Sequence, residues 1–195
     1  MSQLVKFNLN YGLFLFLIFL SACAPNFKET SPISAPLSPG TVNSPTPIPI
    51  WVTQEMTDIN SGKPFNINDF KGKVVLVDGI ATWCPTCFKE SLQMKALNDF
   101  YGEHSDLVTI SLGWDMKEDD SVLKSYSKQF NFNWRFAIVP LPIFRDLGNT
   151  YGALYLDPTL SPMFAVDRYG NVQKINLGYK TVDDLKQIID PLISQ

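Results

Sequence analysis

The sequence predicts an α/β domain, a mixed central sheet flanked by helices, over residues 50–195 of a 195-residue chain. Three observations carry this reading. Val74-Val75-Leu76-Val77 is an unbroken apolar run rich in β-branched residues, as in a strand buried on both faces. Phe88, Leu92, Ala96 and Phe100 recur every four residues, with Leu97 and Tyr101 beside them, which is helical spacing. Two strand segments, 163–166 and 172–177, flank the turn sequence Asp167-Arg168-Tyr169-Gly170-Asn171, a hairpin signal.

Along the chain, the first core strand leads into a helix from Cys84 to about Tyr101, stopped by Gly102. A second strand spans 107–112. Asp119, Asp120 or Ser121 caps a helix that runs to about Phe130, and a third strand spans 134–139. Residues 143–151 form a short helix. After the two hairpin strands, Thr181 caps a last helix through Ile189, ended by Pro191. Strand, helix, strand, helix, strand, then a hairpin and a helix gives a mixed sheet.

The N-terminal quarter has a different composition. Lys6 is the only charged residue before Lys28, and 13–20 is an unbroken apolar run. That is the length of a signal peptide and well short of the roughly 20 residues that span a bilayer. It ends in Leu20-Ser21-Ala22-Cys23, which resembles a bacterial lipobox, so residues 1–22 are expected to be removed and Cys23 to carry lipid. A plain secretory signal with a stray cysteine, or a retained membrane anchor, are the alternatives. Residues 23–49 read as the lipidated cysteine and a tether, because seven of the fourteen prolines lie between Ala24 and Pro49 without apolar periodicity. Extended proline-rich chain of this length reaches about 80 Å. Loss of 1–22 removes one Lys and no acid, so the net charge goes from −3 to −4. That balance offers no basic patch for nucleic acid.

The chemistry lies in Trp83-Cys84-Pro85-Thr86-Cys87. With Cys23 lipidated, two sulfurs remain of the three, separated by two residues where a buried strand turns into a helix. A thiolate there faces unpaired backbone N–H groups and the positive end of the helix dipole, so its pKa falls and it becomes a nucleophile. Cys84, at the helix start, is expected to be the more exposed sulfur and the attacker. Cys87, one turn in and partly covered, resolves the mixed disulfide. Pro85 suits the first helical position, where a missing N–H costs least. A structural disulfide is the plain alternative. A zinc site would need four ligands, and two cysteines and His104 do not supply them, so no metal and no cofactor is expected.

These residues resemble a family, the membrane-anchored TlpA/ResA-like thiol–disulfide oxidoreductases of the thioredoxin-like superfamily. The matching segments are Gly72 to Asp78 (GKVVLVD), Ala81 to Cys87 (ATWCPTC) and Ser161 to Asp167 (SPMFAVD) followed by Gly170. Ser61-Gly62-Lys63 matches the family's opening hairpin. The resemblance covers the chain from about Trp51 onward and implies a thioredoxin-like fold with a helix–strand insertion at 113–139. It implies that Pro162 is cis and shapes the substrate groove with Trp83, that Ser161 offers its backbone to a bound polypeptide, and that Asp78 relays a proton to Cys87. Expected partners are disulfide-containing extracytoplasmic proteins, including apocytochromes before haem attachment, and a membrane thiol-electron carrier as reductant. The expected location is a lipid-anchored one, facing the periplasm or the extracellular side.

Two departures bear on this. Many relatives carry two aromatic residues after the Asp78 position; Gly79-Ile80 stands here, implying less cover above the site and a looser strand end. Pro85-Thr86 between the cysteines fits neither the reducing nor the strongly oxidising pattern, so a disulfide-forming oxidase stays beside a reductase. A copper chaperone is a further alternative, although it favours cysteines three residues apart and a partnering histidine. A peroxidase reading wants a threonine where Ala81 stands. The aromatics Trp114, Tyr126, Phe130, Phe132, Trp134 and Phe136 are read as core rather than as a docking surface.

Overall fold

The computed structural model describes residues 48–102 and 106–195. Cys23, the apolar run before it, the proline-rich segment through residue 47, and His104 lie outside the described residues.

A one-turn helix α1 (Ile50–Thr53) precedes a hairpin of β1 (Met56–Thr57) and β2 (Pro64–Phe65), paired antiparallel. Its turn is organised by Asp58, whose carboxylate accepts from Ser61 Oγ at 2.6 Å and from the backbone N–H groups of Asn60 and Ser61. Then come β3 (Val74–Ile80), α2 (Pro85–Tyr101), β4 (Leu107–Gly113), α3 (Asp120–Gln129) and β5 (Arg135–Ile138). They are followed by α4 (Leu141–Tyr151), β6 (Met163–Val166), β7 (Val172–Ile175) and α5 (Val182–Ile193). The sheet order is β5-β4-β3-β6-β7, with β3, β4 and β5 parallel and β6 and β7 antiparallel to their neighbours.

The alternation of strand side chains divides the core in two. Val74, Leu76 and Ile80 pack with α2, α3 and α5 on one face, together with Met94, Leu97, Leu123, Leu185 and Ile189. Val75 and Val77 pack on the other with Trp51 of α1 and Ile143 and Leu147 of α4. All residues of β3 and β4 are buried, as expected of central parallel strands. The insertion aromatics are core: Trp114, Tyr126, Phe132, Trp134 and Phe136 are buried, and Phe130 packs on them.

Several expectations shift. Helix α2 forms, but its buried stripe is Cys87, Glu90, Ser91, Met94 and Leu97, while Leu92 and Phe100 face outward. A strict four-residue repeat drifts around a helix of 3.6 residues per turn, so Phe88 to Phe100 cannot hold one face. Phe100 stays exposed, with the Lys186 ammonium 3.8 Å from its ring centre. Helix α5 continues through Pro191 to Ile193. Proline deletes one N–H near the helix end, and the last turn is secured by Arg168 donating to the Ile193 carbonyl at 2.7 Å. The end of β3 is not loose, since Gly79 and Ile80 pair with Leu112 and Gly113 and are buried. A Cβ on Gly79 would stand 2.5 Å from ring atoms of Trp114, so the missing side chain is replaced by an indole from the end of β4.

Candidate functional site

Sequence places the dithiol at the point where β3 hands over to α2, and the local geometry follows from capping. Cys84 is the N-cap of α2, extended at φ −84° and ψ 113°, and Pro85 begins the helix behind it. Its sulfur takes the place of the usual cap oxygen, accepting from the Cys87 backbone N–H at 3.1 Å. Cys84 and Cys87 are joined as a disulfide, with Cα atoms 5.3 Å apart.

Both sulfurs are covered. Cys84 is 1 % exposed and Cys87 2 %, so the expected contrast between an open and a shielded sulfur is absent from the disulfide state. The cover is a short 3-10 turn, Pro158–Leu160, whose Pro158 carbonyl oxygen lies 3.2 Å from Cys87 Sγ and 3.8 Å from Cys84 Sγ. Trp83 stands outside this cover, 58 % exposed, with its indole N–H donating to Asp115 Oδ2 at 2.7 Å. Glu118, from the same β4–α3 connection, accepts from the Thr82 backbone N–H at 2.8 Å and its hydroxyl at 2.5 Å. Two carboxylates therefore hold the two residues that lead into Cys84.

Ser161 and Pro162 follow the covering turn. Among the described residues there is no cis peptide bond, so Pro162 is trans rather than cis. The chain reverses through Ser161 instead, which sits in the left-handed region at φ 51° and ψ 58°. Pro162 is buried, and its carbonyl accepts from the Gly79 N–H at 3.0 Å, joining the turn to the end of β3. The backbone of Ser161 is not free to meet a polypeptide as expected. Its N–H donates to Pro158 O at 3.1 Å, and its carbonyl accepts from Lys180 Nζ at 2.6 Å.

Beneath the dithiol lies a buried charged cluster. Asp78 on β3 is 2 % exposed, in register with Ser111 on β4 and Met163 on β6. Burial pushes its carboxyl up to about 7; Ser111 and Lys180 offset part of the rise, and Glu90 adds to it. Neither Asp78 oxygen has a well-formed hydrogen bond. Glu90, on α2, is also 2 % exposed and faces Lys180 Nζ at 3.4 Å. Burial raises the Glu90 carboxyl, against the lowering effects of Ser161 and Lys180, and burial lowers the Lys180 ammonium.

The structure thus brings together Cys84, Cys87, Asp78, Trp83, Ser161 and Pro162 around one end of the sheet. Sequence reading missed Glu90, Lys180, Glu118, Asp115 and the Pro158 carbonyl. Glu90 was accessible, since it lies three residues after Cys87 and shares its helix face. Lys180, just before the cap of α5, carries no such signal. No group of three or more His, Cys, Asp or Glu side chains suited to a metal occurs among the described residues.

A family model described as Redoxin matches residues 24–189. A thiol-disulfide oxidoreductase, ResA, of Bacillus thuringiensis subsp. konkukian is 30% identical over 138 residues, covering 69% of this chain and 71% of the relative. Among solved structures, a thiol:disulfide interchange protein of the thioredoxin family from Chlorobium tepidum superposes with a TM-score of 0.57 at 23% identity, covering 72% of this chain and 92% of that one. The exposed lipoprotein thioredoxin Etrx1 of Streptococcus pneumoniae gives 0.55 at 20% identity, covering 71% and 98%. A dithiol closed at a helix start on a thioredoxin-like sheet, with this family match, makes the chain a member of the redoxin family and a ResA-like thiol–disulfide oxidoreductase.

Proposed function

We propose that this oxidoreductase works outside the cytoplasm as a reductase of protein disulfides, held to a membrane by lipid on Cys23. The observation that carries the direction is the charge around the dithiol. Asp78 and Glu90 lie buried beneath it with one cation, Lys180, while Asp115 and Glu118 flank its approach. Negative charge disfavours a thiolate, so it favours the disulfide and the loss of electrons to a substrate. The N-cap position acts the other way by stabilising a Cys84 thiolate, which supplies nucleophilicity rather than direction.

In this reading Cys84 of the reduced enzyme attacks a substrate disulfide, forming a mixed disulfide and releasing one substrate thiol. Cys87 then loses its proton to Asp78 and attacks Cys84 Sγ, releasing the second thiol and closing the disulfide. The substrate lies against Trp83 and Pro162 and displaces the covering turn. A membrane thiol-electron carrier restores the dithiol. Apocytochrome cysteines are one substrate class that fits. The location rests on the apolar run, the Leu20-Ser21-Ala22-Cys23 sequence and the proline-rich tether. Among the described residues no helix is long and apolar enough to cross a membrane.

Equilibration with glutathione or thioredoxin tests the direction: a potential below about −250 mV supports a reductase, and one near about −120 mV supports an oxidase. Cys84→Ala should abolish insulin reduction, and retained activity would remove Cys84 from the reaction. Cys87→Ala should trap substrates on Cys84 for identification by mass spectrometry. Metabolic labelling with palmitate should mark the full chain and not a Cys23→Ala variant.

A further inference from the structure

A buried lysine requires an explanation, because an ion pair in the interior is often no more stabilising than apolar side chains of similar volume. Lys180 is 6 % exposed. Its ammonium donates to the Ser161 carbonyl at 2.6 Å and faces Glu90 Oε1 at 3.4 Å. Those two partners belong to different parts of the site. Glu90 rides on the helix that carries both cysteines, one turn beyond Cys87. Ser161 closes the turn whose Pro158 carbonyl covers the sulfurs, and it does so in a left-handed conformation that a serine adopts only when held.

We propose that Lys180 is a positioning residue for disulfide exchange, tying the dithiol helix, through Glu90, to the Ser161 carbonyl of the turn over the sulfurs. This rests on the reading that exchange runs through Cys84 and Cys87. Two consequences follow from the geometry. The covering turn keeps a fixed height above the dithiol because its last carbonyl is bound to a charge that is itself bound to α2. The two buried carboxyls also become unlike: Glu90 has the ammonium 3.4 Å away, while neither Asp78 oxygen has a well-formed hydrogen bond. The other titratable groups facing this cluster are Tyr126 from α3, whose hydroxyl lies 3.5 Å from Ser91 Oγ, and the cysteines themselves. Asp184 on α5 is turned away, its carboxylate occupied by the Thr181 N–H and hydroxyl.

The test compares the wild type with Lys180→Met, Lys180→Arg and the double variant Lys180→Met/Glu90→Gln. Each is reduced, and the rate of iodoacetamide alkylation of Cys84 is followed from pH 5 to 9; insulin-reductase turnover is measured alongside. Lys180→Met leaves Glu90 unpaired, so the carboxyl-linked inflection should move to higher pH by about one unit or more. Lys180→Arg keeps the charge and should keep the profile. The double variant removes the stranded carboxyl and should return the inflection toward the wild type. Turnover should fall about tenfold in both Met variants, because neither binds Ser161, and stay within about twofold in Lys180→Arg. A folded Lys180→Met protein with the wild-type profile and turnover overturns the proposal. If Lys180→Met does not fold, equal turnover in the double variant and Lys180→Arg overturns it. Cys84→Ala runs beside them: activity retained there defeats the reading of the site, whereas activity lost there with unchanged Lys180 variants defeats this proposal alone.

Discussion

Asp78→Asn isolates the cost of keeping a carboxyl under the dithiol. Asparagine preserves size and polarity and removes the ionisation. The Asp78 carboxyl goes from 3.8 in the unfolded chain to about 7 in the folded protein. A folded-state value raised in this way favours the neutral form, so little is lost below the unfolded value, and the penalty grows as pH rises between the two values and levels off above the folded one. The full shift of about three units corresponds to about 4 kcal/mol. Relative to wild type, Asp78→Asn should therefore gain almost nothing at pH 4 and about 4 kcal/mol at pH 8. Urea unfolding of the oxidised protein at four pH values between 4 and 8 measures this difference directly. The same variant should reduce insulin more slowly, since an amide cannot accept the Cys87 proton. A gain that is flat with pH, or an Asn variant less stable than wild type at pH 8, would refute the reasoning.

Other substitutions probe the supports of the site. Gly79→Ala pushes a methyl group to within 2.5 Å of the Trp114 ring and should destabilise by about 1–3 kcal/mol, seen as a lower melting temperature that Trp114→Leu partly restores. Glu118→Ala frees the Thr82 N–H and hydroxyl from their shared acceptor and should cost about 1–3 kcal/mol, with faster hydrogen exchange at the Thr82 amide. Arg168→Ala removes bonds to the carbonyls of Gly72 and Ile193 and an ion pair to Asp106 at 2.8 Å. The exposed ion pair contributes little, so the main effect should be faster amide exchange in the last turn of α5; unchanged exchange there would mean that Pro191 and its neighbours hold the turn unaided.

The succession of strands and helices along the chain and the dithiol were legible because both are written in local sequence. Val74 to Val77 identifies a doubly buried strand without reference to anything distant, and Cys84-Pro85-Thr86-Cys87 combines a cap, a helix-starting proline and two sulfurs in one turn. The groups that condition those sulfurs were mostly not legible. Pro158 meets Cys87 from 71 residues away, and it does so through a backbone carbonyl, which has no residue-specific signature. Lys180 contacts Ser161 and Glu90 only because β6, β7 and α5 fold back over α2. Trp114 against Gly79 is a similar case: a small residue on one strand made sense only beside the large one that follows its neighbour. The stripe of α2 went astray for another reason, since a four-residue repeat was read where burial follows the mixed three- and four-residue spacing of a real helix.

The Pro158 carbonyl treats the two redox states differently. A disulfide sulfur carries no hydrogen, so in the closed pair this oxygen, 3.2 Å from Cys87, has nothing to accept from either cysteine. Reduction gives Cys87 a proton and turns the same contact into an S–H donor facing a carbonyl acceptor. The covering turn is accordingly fastened more firmly to the dithiol than to the disulfide. A substrate that displaces the turn from the reduced enzyme must break this contact, which the closed disulfide does not offer.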